Sequence, residues 1–115
     1  MYSKPVFLQG VFPFVGKGLT SPEPLSPELT YTIAMGRRGQ LIYFRAGNSS
    51  SELVYLALMR DDKLMRMFPV SAKGAIHVPL AVVEDLASST TITVQFAAPD
   101  QSAGHLVIDI GISEV

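Results

Sequence analysis

Short runs of β-branched and aromatic residues, separated by polar turn clusters roughly every ten residues, dominate the chain from residue 28 onward. This spacing is typical of a sandwich or a barrel and leaves no room for long helices. We therefore predict an all-β fold, an antiparallel β-sandwich of jelly-roll or Ig-like type. The predicted strands lie at about 28–35, 40–47, 52–60, 63–70, 74–80, 90–97 and 105–114.

One segment, 81–87, departs from the strand pattern. Val82 and Leu86 stand four residues apart, the spacing of one helix face. The segment allows at most two turns, which are too short to persist without packing. We predict at most one short helical turn in the whole chain.

Five of the eight prolines lie in residues 1–27. Proline fixes φ and cannot donate to a β-ladder, so this segment forms neither a helix nor a central strand. Its phenylalanine and valine content is too high for a flexible linker. We predict an extended, proline-rich arm over 1–27, packed on a sandwich domain at 28–115 or on a neighbouring subunit.

Alternation of apolar and polar residues predicts which face of two strands is buried. In 90–97 every second residue is apolar, with threonine and glutamine between, and 105–112 repeats the pattern. One face of each strand should therefore pack into the sandwich while the other meets water. The residues predicted to form the inner core are Ile92, Val94, Phe96, Leu106, Ile108 and Ile110.

Strand 52–60 breaks the alternation because both of its faces are apolar, as are the runs 41–44 and 64–68. A sandwich covers only the inner faces of its sheets. The arm or a second copy must then cover the outer face of a sheet built from 41–68. Tyrosine, methionine and arginine are enriched in interface cores, and only 17% of the chain is charged. The predicted interface residues are Tyr43, Arg45, Tyr55, Met59, Met65, Arg66 and Met67.

The chain holds few residues that could carry catalysis. The absence of cysteine excludes disulfides, cysteine-based metal sites and thiol chemistry, and the two histidines, His77 and His105, cannot supply a three-histidine site. We predict no catalytic residue, no metal and no cofactor. The candidates for contacting a ligand are His77, Arg37 and Arg38.

The sequence argues against nucleic acid as a partner. Residues 36–39, Gly-Arg-Arg-Gly, have the letters of a loop that clamps nucleic-acid backbones, but that loop joins two helices and this one joins two strands. The net charge of −1 also provides no general attraction for phosphates. No run of eighteen apolar residues and no signal-peptide pattern occurs. We predict no membrane span and a cytoplasmic location.

Three functions fit these expectations. The favoured one is a non-catalytic interaction module that self-associates as a dimer or small ring, docks another protein, or does both, through an apolar sheet face. The alternative is a domain that binds an anionic or sugar-like small molecule. The third is a small hydrolase or isomerase that uses His77 or His105.

Overall fold

A computed structural model describes residues 3–80 and 85–115 and contains two antiparallel β-sheets packed together. The predicted β-sandwich is confirmed, and the described ranges contain no helix. The helical turn predicted at 81–87 lies in part on 81–84, outside the described residues, while Asp85 and Leu86 belong to a short strand.

Within the described residues, ten strands build the two sheets. In chain order they are β1 (Lys4–Val15), β2 (Glu23–Pro24), β3 (Thr30–Thr32), β4 (Gly39–Asn48), β5 (Val54–Arg60), β6 (Lys63–Val70), β7 (Ala75–Pro79), β8 (Asp85–Leu86), β9 (Thr91–Ala97) and β10 (Ala103–Glu114). Sheet A has the order β1-β10-β4-β7, with β8 also paired to β4. Sheet B has the order β2-β9-β5-β6, with β3 also paired to β9.

Two pairs of short strands each occupy a single place in a sheet. Strands β2 and β3 both lie along β9, and strands β7 and β8 both lie along β4, so β2 with β3 and β7 with β8 each form one interrupted strand. The result is eight strands in two four-stranded sheets, which is the jelly-roll arrangement. Strands joined by short connections often pair as hairpins, but most consecutive strands of this chain do not. Among the described strands that follow one another, only β5 and β6 pair as a hairpin.

The corner between β4 and β5 shows why a short connection need not be a hairpin. Asn48 is buried, and its Nδ2 lies 2.8 Å from the carbonyl oxygen of Glu52, 3.3 Å from that of Val70 and 3.2 Å from that of Ser71. Its Oδ1 accepts hydrogen bonds from the backbone and hydroxyl of Ser50. One side chain thus satisfies the backbone where the chain leaves sheet A for sheet B.

The core lies between the sheets and follows the alternation of the strands. All six residues predicted from 90–97 and 105–112 are buried, so that prediction is confirmed. On β5 the side chains of Val54, Leu56 and Leu58 point inward. Aromatic pairs join the layers: Phe14 meets Phe96 edge-on at 5.5 Å between ring centroids.

Residues 4–15 pair with β10 at all twelve positions and form an edge strand of sheet A. Leu8, Phe12 and Phe14 are buried in the core, while the residues between them face outward. The first 27 residues thus contribute β1 to sheet A and β2 to sheet B. The division into an arm at 1–27 and a domain at 28–115 stays a prediction.

Candidate functional site

The outer face of sheet A aligns polar side chains from four strands in one row. The row consists of Gln9, Asp109, Arg45 and His77, which are cross-strand partners in that order. Gln9 Nε2 donates a hydrogen bond of 3.1 Å to Asp109 Oδ1. Arg45 Nη1 lies 3.7 Å from Asp109 Oδ2. The antiparallel register therefore places a carboxylate between an amide and a guanidinium.

The Tyr43 side chain extends into this row from its own position two residues before Arg45 on β4. Its hydroxyl donates a hydrogen bond of 2.8 Å to Asp109 Oδ1. Its cross-strand partner is Gly111, where an added Cβ would collide with the tyrosine ring, so glycine is needed for the ring to cross β10. The ring also meets the Arg45 guanidinium at 5.2 Å and the His77 ring at 6.1 Å. Gln9, Tyr43, Arg45, His77 and Asp109 together form what we call the Asp109 cluster.

The surroundings of Tyr43 keep its hydroxyl protonated. Burial raises the pKa of this hydroxyl, and the hydrogen bond to the Asp109 carboxylate raises it further. Arg45 lowers the pKa by a smaller amount. Tyr43 is therefore a neutral hydrogen-bond donor at ordinary pH, a role that fits recognition better than proton abstraction.

Four exposed apolar side chains lie on β1 and β10, on the outer face that carries the Asp109 cluster. Phe7, Val11 and Val15 on β1 are 55%, 61% and 59% exposed, and Val107 on β10 is 48% exposed. Val11 and Val107 are cross-strand partners, so they form a continuous patch beside the cluster. The core of a typical protein contact surface is apolar and enriched in aromatic residues such as Phe7.

A depression of about 600 Å³ opens beside the cluster. Its border includes Arg45, His77, Val107 and Asp109. Gly47 lies in the same depression and has no side chain to fill it. The depression is wide enough for a small ligand.

The seven predicted interface residues do not share one face. Tyr43 and Arg45 lie on the outer face of sheet A, whereas the other five lie on β5 and β6 of sheet B. The prediction of a single sheet over 41–68 was wrong, because the corner at Asn48 sends the chain across the sandwich.

On sheet B the predicted residues have different environments. Tyr55 and Met59 are half-buried, and Met67 is 54% exposed. Met65 lies at the bulge of β6 and packs against the core. Arg66, opposite Leu58, has an exposed side chain on the edge strand. The outer face of sheet B thus shows a narrower apolar strip than sheet A.

Carboxylates of the chain itself engage the two arginines predicted to contact a ligand. Arg37 Nε lies 3.8 Å from Glu114 Oε1, and its Nη2 donates a hydrogen bond of 3.1 Å to the Glu114 carbonyl. Arg38 lies 3.4 Å from Asp85 on the surface. Of the three predicted ligand contacts, His77 is the one that joins the Asp109 cluster.

Glu114 is a buried carboxylate that the sequence analysis did not identify. It is 1% exposed, and its carboxylate accepts hydrogen bonds of 2.9 Å from the Ala34 backbone and the Tyr31 hydroxyl. The Ala34 bond is the main cause that lowers the pKa of Glu114, against the opposing effect of burial. The group joins β10 to β3 and acts structurally. The alternation of β10 places residue 114 on the core side, and that signal could have found it.

No group of three histidine, aspartate or glutamate side chains in residues 3–80 and 85–115 could hold a metal ion. In the same ranges no helix is long and apolar enough to cross a membrane.

Solved structures share this fold, although no protein-family model and no curated protein matches the chain in sequence. A chain in the structure of infectious bursal disease virus strain Gx aligns with a TM-score of 0.54 and 10% identity, over 97% of this chain and 32% of the viral one. Strain Gt gives a TM-score of 0.52 at the same identity and coverage. The protein thus belongs to the class of antiparallel β-sandwiches. It spans about a third of the length of these viral chains, and the likeness concerns the fold alone.

Proposed function

We propose that this chain is a non-catalytic interaction module that self-associates through the outer face of sheet A. The observation that carries this proposal is the group of four exposed apolar side chains on β1 and β10 of this face, Phe7, Val11, Val15 and Val107. Soluble monomers seldom leave a contiguous patch above about 300–600 Å² exposed. A second copy that covers this patch removes it from water.

The other sheet supports this choice of face by contrast. On the outer face of sheet B the strongly exposed apolar side chains are Leu64 and Met67, both on the edge strand β6. The central strand β9 presents Thr93 and Gln95 beside Met59 and Ala57. Threonine and glutamine can keep their hydrogen bonds to water, so that face needs no partner.

The structural neighbours lend general support to a packing role. Both come from infectious bursal disease virus, and jelly rolls recur in viral capsid domains, which work by packing against copies of themselves. Lectin domains and cupins use the same fold. The proposal therefore depends on the surface of this chain rather than on the fold.

A pair of matched charge insertions tests the proposed face. Val11→Glu places a carboxylate in the patch, and Met67→Glu places one at a similarly exposed site on sheet B. Sedimentation velocity at tens of micromolar should show an oligomer for the wild type and Met67→Glu, and a folded monomer for Val11→Glu. A wild-type monomer, or loss of the oligomer in Met67→Glu alone, would contradict the proposal.

A small-molecule site is the second candidate, because the depression brings Arg45 and His77 to one opening. An anionic ligand there would replace Asp109 as the partner of Arg45. Thermal-shift titration with succinate and inorganic phosphate tests this function, since a ligand that binds the folded state raises Tm. A dose-dependent rise of Tm in the wild type that Arg45→Gln abolishes would favour the small-molecule site. The same dependence of Tm on ligand concentration in both proteins would exclude it.

A further inference from the structure

The outer edge of β1 is the longest free strand edge in the described part of the chain, and its protecting residues, Lys4, Pro5 and Pro13, leave the segment between the two prolines open. β1 has twelve residues, and Lys4 is its single charged one. The other sheet margins are short strands, of five residues in β7 and two or three in β2 and β3, or carry charges, as β6 does. Proteins commonly protect edges with short strands, lysine or proline, because unpaired backbone groups otherwise attract another strand.

Two prolines define which backbone groups of β1 face this edge. Pro5 and Pro13 have no N–H and cannot donate to β10. In an antiparallel pair, alternate residues point both their N–H and C=O groups to the same side. Phe7, Gln9 and Val11 share the parity of the prolines, so their N–H and C=O groups point to the free edge.

The backbone hydrogen bonds just beyond β1 agree with this assignment. Gly16 has the opposite parity, and its N–H donates to the carbonyl of Ser102, which precedes β10, at 2.7 Å. Gly16 also accepts a bond of 2.9 Å from the N–H of Gln101. On the far side of β10, the N–H of Ser49 donates a hydrogen bond to the carbonyl oxygen of His105. The backbone N–H and C=O groups of the odd-numbered residues of β10 therefore point toward β4, and those of the even-numbered residues point toward β1.

The free segment of β1 is symmetric about Gln9. Pro5 and Pro13 each lie four residues from Gln9, and Phe7 and Val11 each lie two residues from it. We propose that β1 pairs antiparallel with β1 of a second copy, with Gln9 opposite Gln9 of the partner subunit. This inference rests on the proposed self-association and adds, beside the contact through the sheet face, a second contact along the strand edge.

The symmetric register satisfies every free donor between the prolines. Phe7 pairs with Val11 of the partner subunit, Gln9 with its own counterpart, and Val11 with Phe7 of the partner subunit. Each such pair exchanges two bonds, so about six inter-chain hydrogen bonds form. At both ends Pro5 faces Pro13 of the partner subunit, where neither residue has a donor and the ladder stops.

The side chains are also compatible across the proposed contact. Phe7 and Val11 are exposed in the single chain, and an aromatic side chain opposite a β-branched one is a favourable cross-strand pair. Gln9 is uncharged, so no like charges meet at the two-fold axis. The two outer faces become one continuous surface with an Asp109 cluster on each side of the axis.

A proline substitution at position 9 tests the pairing. Gln9→Pro removes the central N–H without touching the ladder to β10, because position 9 has the same parity as Pro5 and Pro13. Gln9→Ala is the matched control, since it removes the side chain and keeps the N–H. In sedimentation velocity at tens of micromolar, Gln9→Pro should sediment as a smaller folded species than the wild type, and Gln9→Ala should sediment as the wild type does.

Amide hydrogen exchange of the wild type gives a second measurement that needs no variant. The amides of Phe7, Gln9 and Val11 should exchange rapidly in dilute solution and slowly at high protein concentration. Unchanged exchange at these three amides, or a Gln9→Pro protein that sediments as the wild type does, would overturn the edge pairing while self-association stands. A wild type that is monomeric at both concentrations would overturn the edge pairing and the proposed function together.

Discussion

The ring of Tyr43 covers the backbone of Gly111, its partner on the neighbouring strand, so closely that position 111 has no room for a Cβ. This contact lets the tyrosine hydroxyl reach Asp109, two residues along β10. The geometry of the Asp109 cluster therefore depends on a glycine that makes no polar contact within it.

Gly111→Ala should destabilise the fold by about 1–3 kcal/mol, because the new methyl group must displace the Tyr43 ring. Gly47→Ala is the matched control on the adjacent strand, where an added Cβ would lie 3.7 Å from Val107 in ordinary contact. Urea denaturation should separate the two variants. Adding Tyr43→Ala to Gly111→Ala should recover part of the loss, and additive effects would show that the ring is not the cause.

Glu114 should make folding sensitive to acid. Its pKa is lowered in the folded chain from an ordinary value of 4.5, chiefly by the hydrogen bond from Ala34. The unfolded chain therefore binds a proton at higher pH than the folded one. This stabilisation is complete above about pH 4.5 and is lost as the pH falls through the lowered folded value.

Glu114→Gln should reduce the free energy of unfolding at neutral pH by about 1–3 kcal/mol. It should also flatten the decline of stability below pH 4.5. Asp85→Asn is the control, because the Asp85 carboxylate pairs with Arg38 on the exposed surface and is screened by solvent. The measurement is the denaturation midpoint at a series of pH values across the acid range. If the midpoints of the wild type and Glu114→Gln fall in parallel with pH, Glu114 is not the source of the acid sensitivity.

Two phenylalanines test the inside and outside of the sandwich. Phe96→Ala should cost about 3–5 kcal/mol, because the ring is 4% exposed and packs on Phe14. Phe7→Ala, at 55% exposure on the outer face, should cost less than about 1 kcal/mol in dilute solution. Similar losses for both variants in guanidinium unfolding would mean that the two faces of the strands are exchanged.

Removal of residues 1–20 should make the chain aggregate. The deletion takes away β1, which contributes Leu8, Phe12 and Phe14 to the core, and it exposes the edge of β10. Limited proteolysis of the intact chain should find this segment resistant, since an ordered strand is a poor substrate. A chain beginning at Ser21 that stays soluble and equally stable would show that the segment is dispensable.

Local alternation was enough to predict the class of fold and part of the core. In β9 and β10 every second residue is buried, from Ile92 to Phe96 and from Leu106 to Glu114. The partners of each strand were harder to predict, because four polar residues can close a hairpin or carry the chain across a sandwich. At residue 48 the crossing depends on carbonyls that come from β6, far along the chain.

The Asp109 cluster could be predicted only in part for the same reason. Tyr43, Arg45 and His77 stood out as residue types, but Gln9 joins them through a strand that its prolines predicted only as an extended arm. No local pattern shows that β1 pairs with β10 across most of the sequence. The register of that pairing decides which residues meet at Asp109.

The Nδ2 atom of Asn48 is also where an N-linked sugar would be attached, since Asn48-Ser49-Ser50 fits the acceptor pattern. In the folded chain that nitrogen lies inside the corner, within 3.3 Å of three carbonyl oxygens. A glycosylating enzyme could reach it only before the corner forms. A sugar in that position would then keep β5 out of sheet B, so glycosylation at Asn48 and the native sandwich exclude each other.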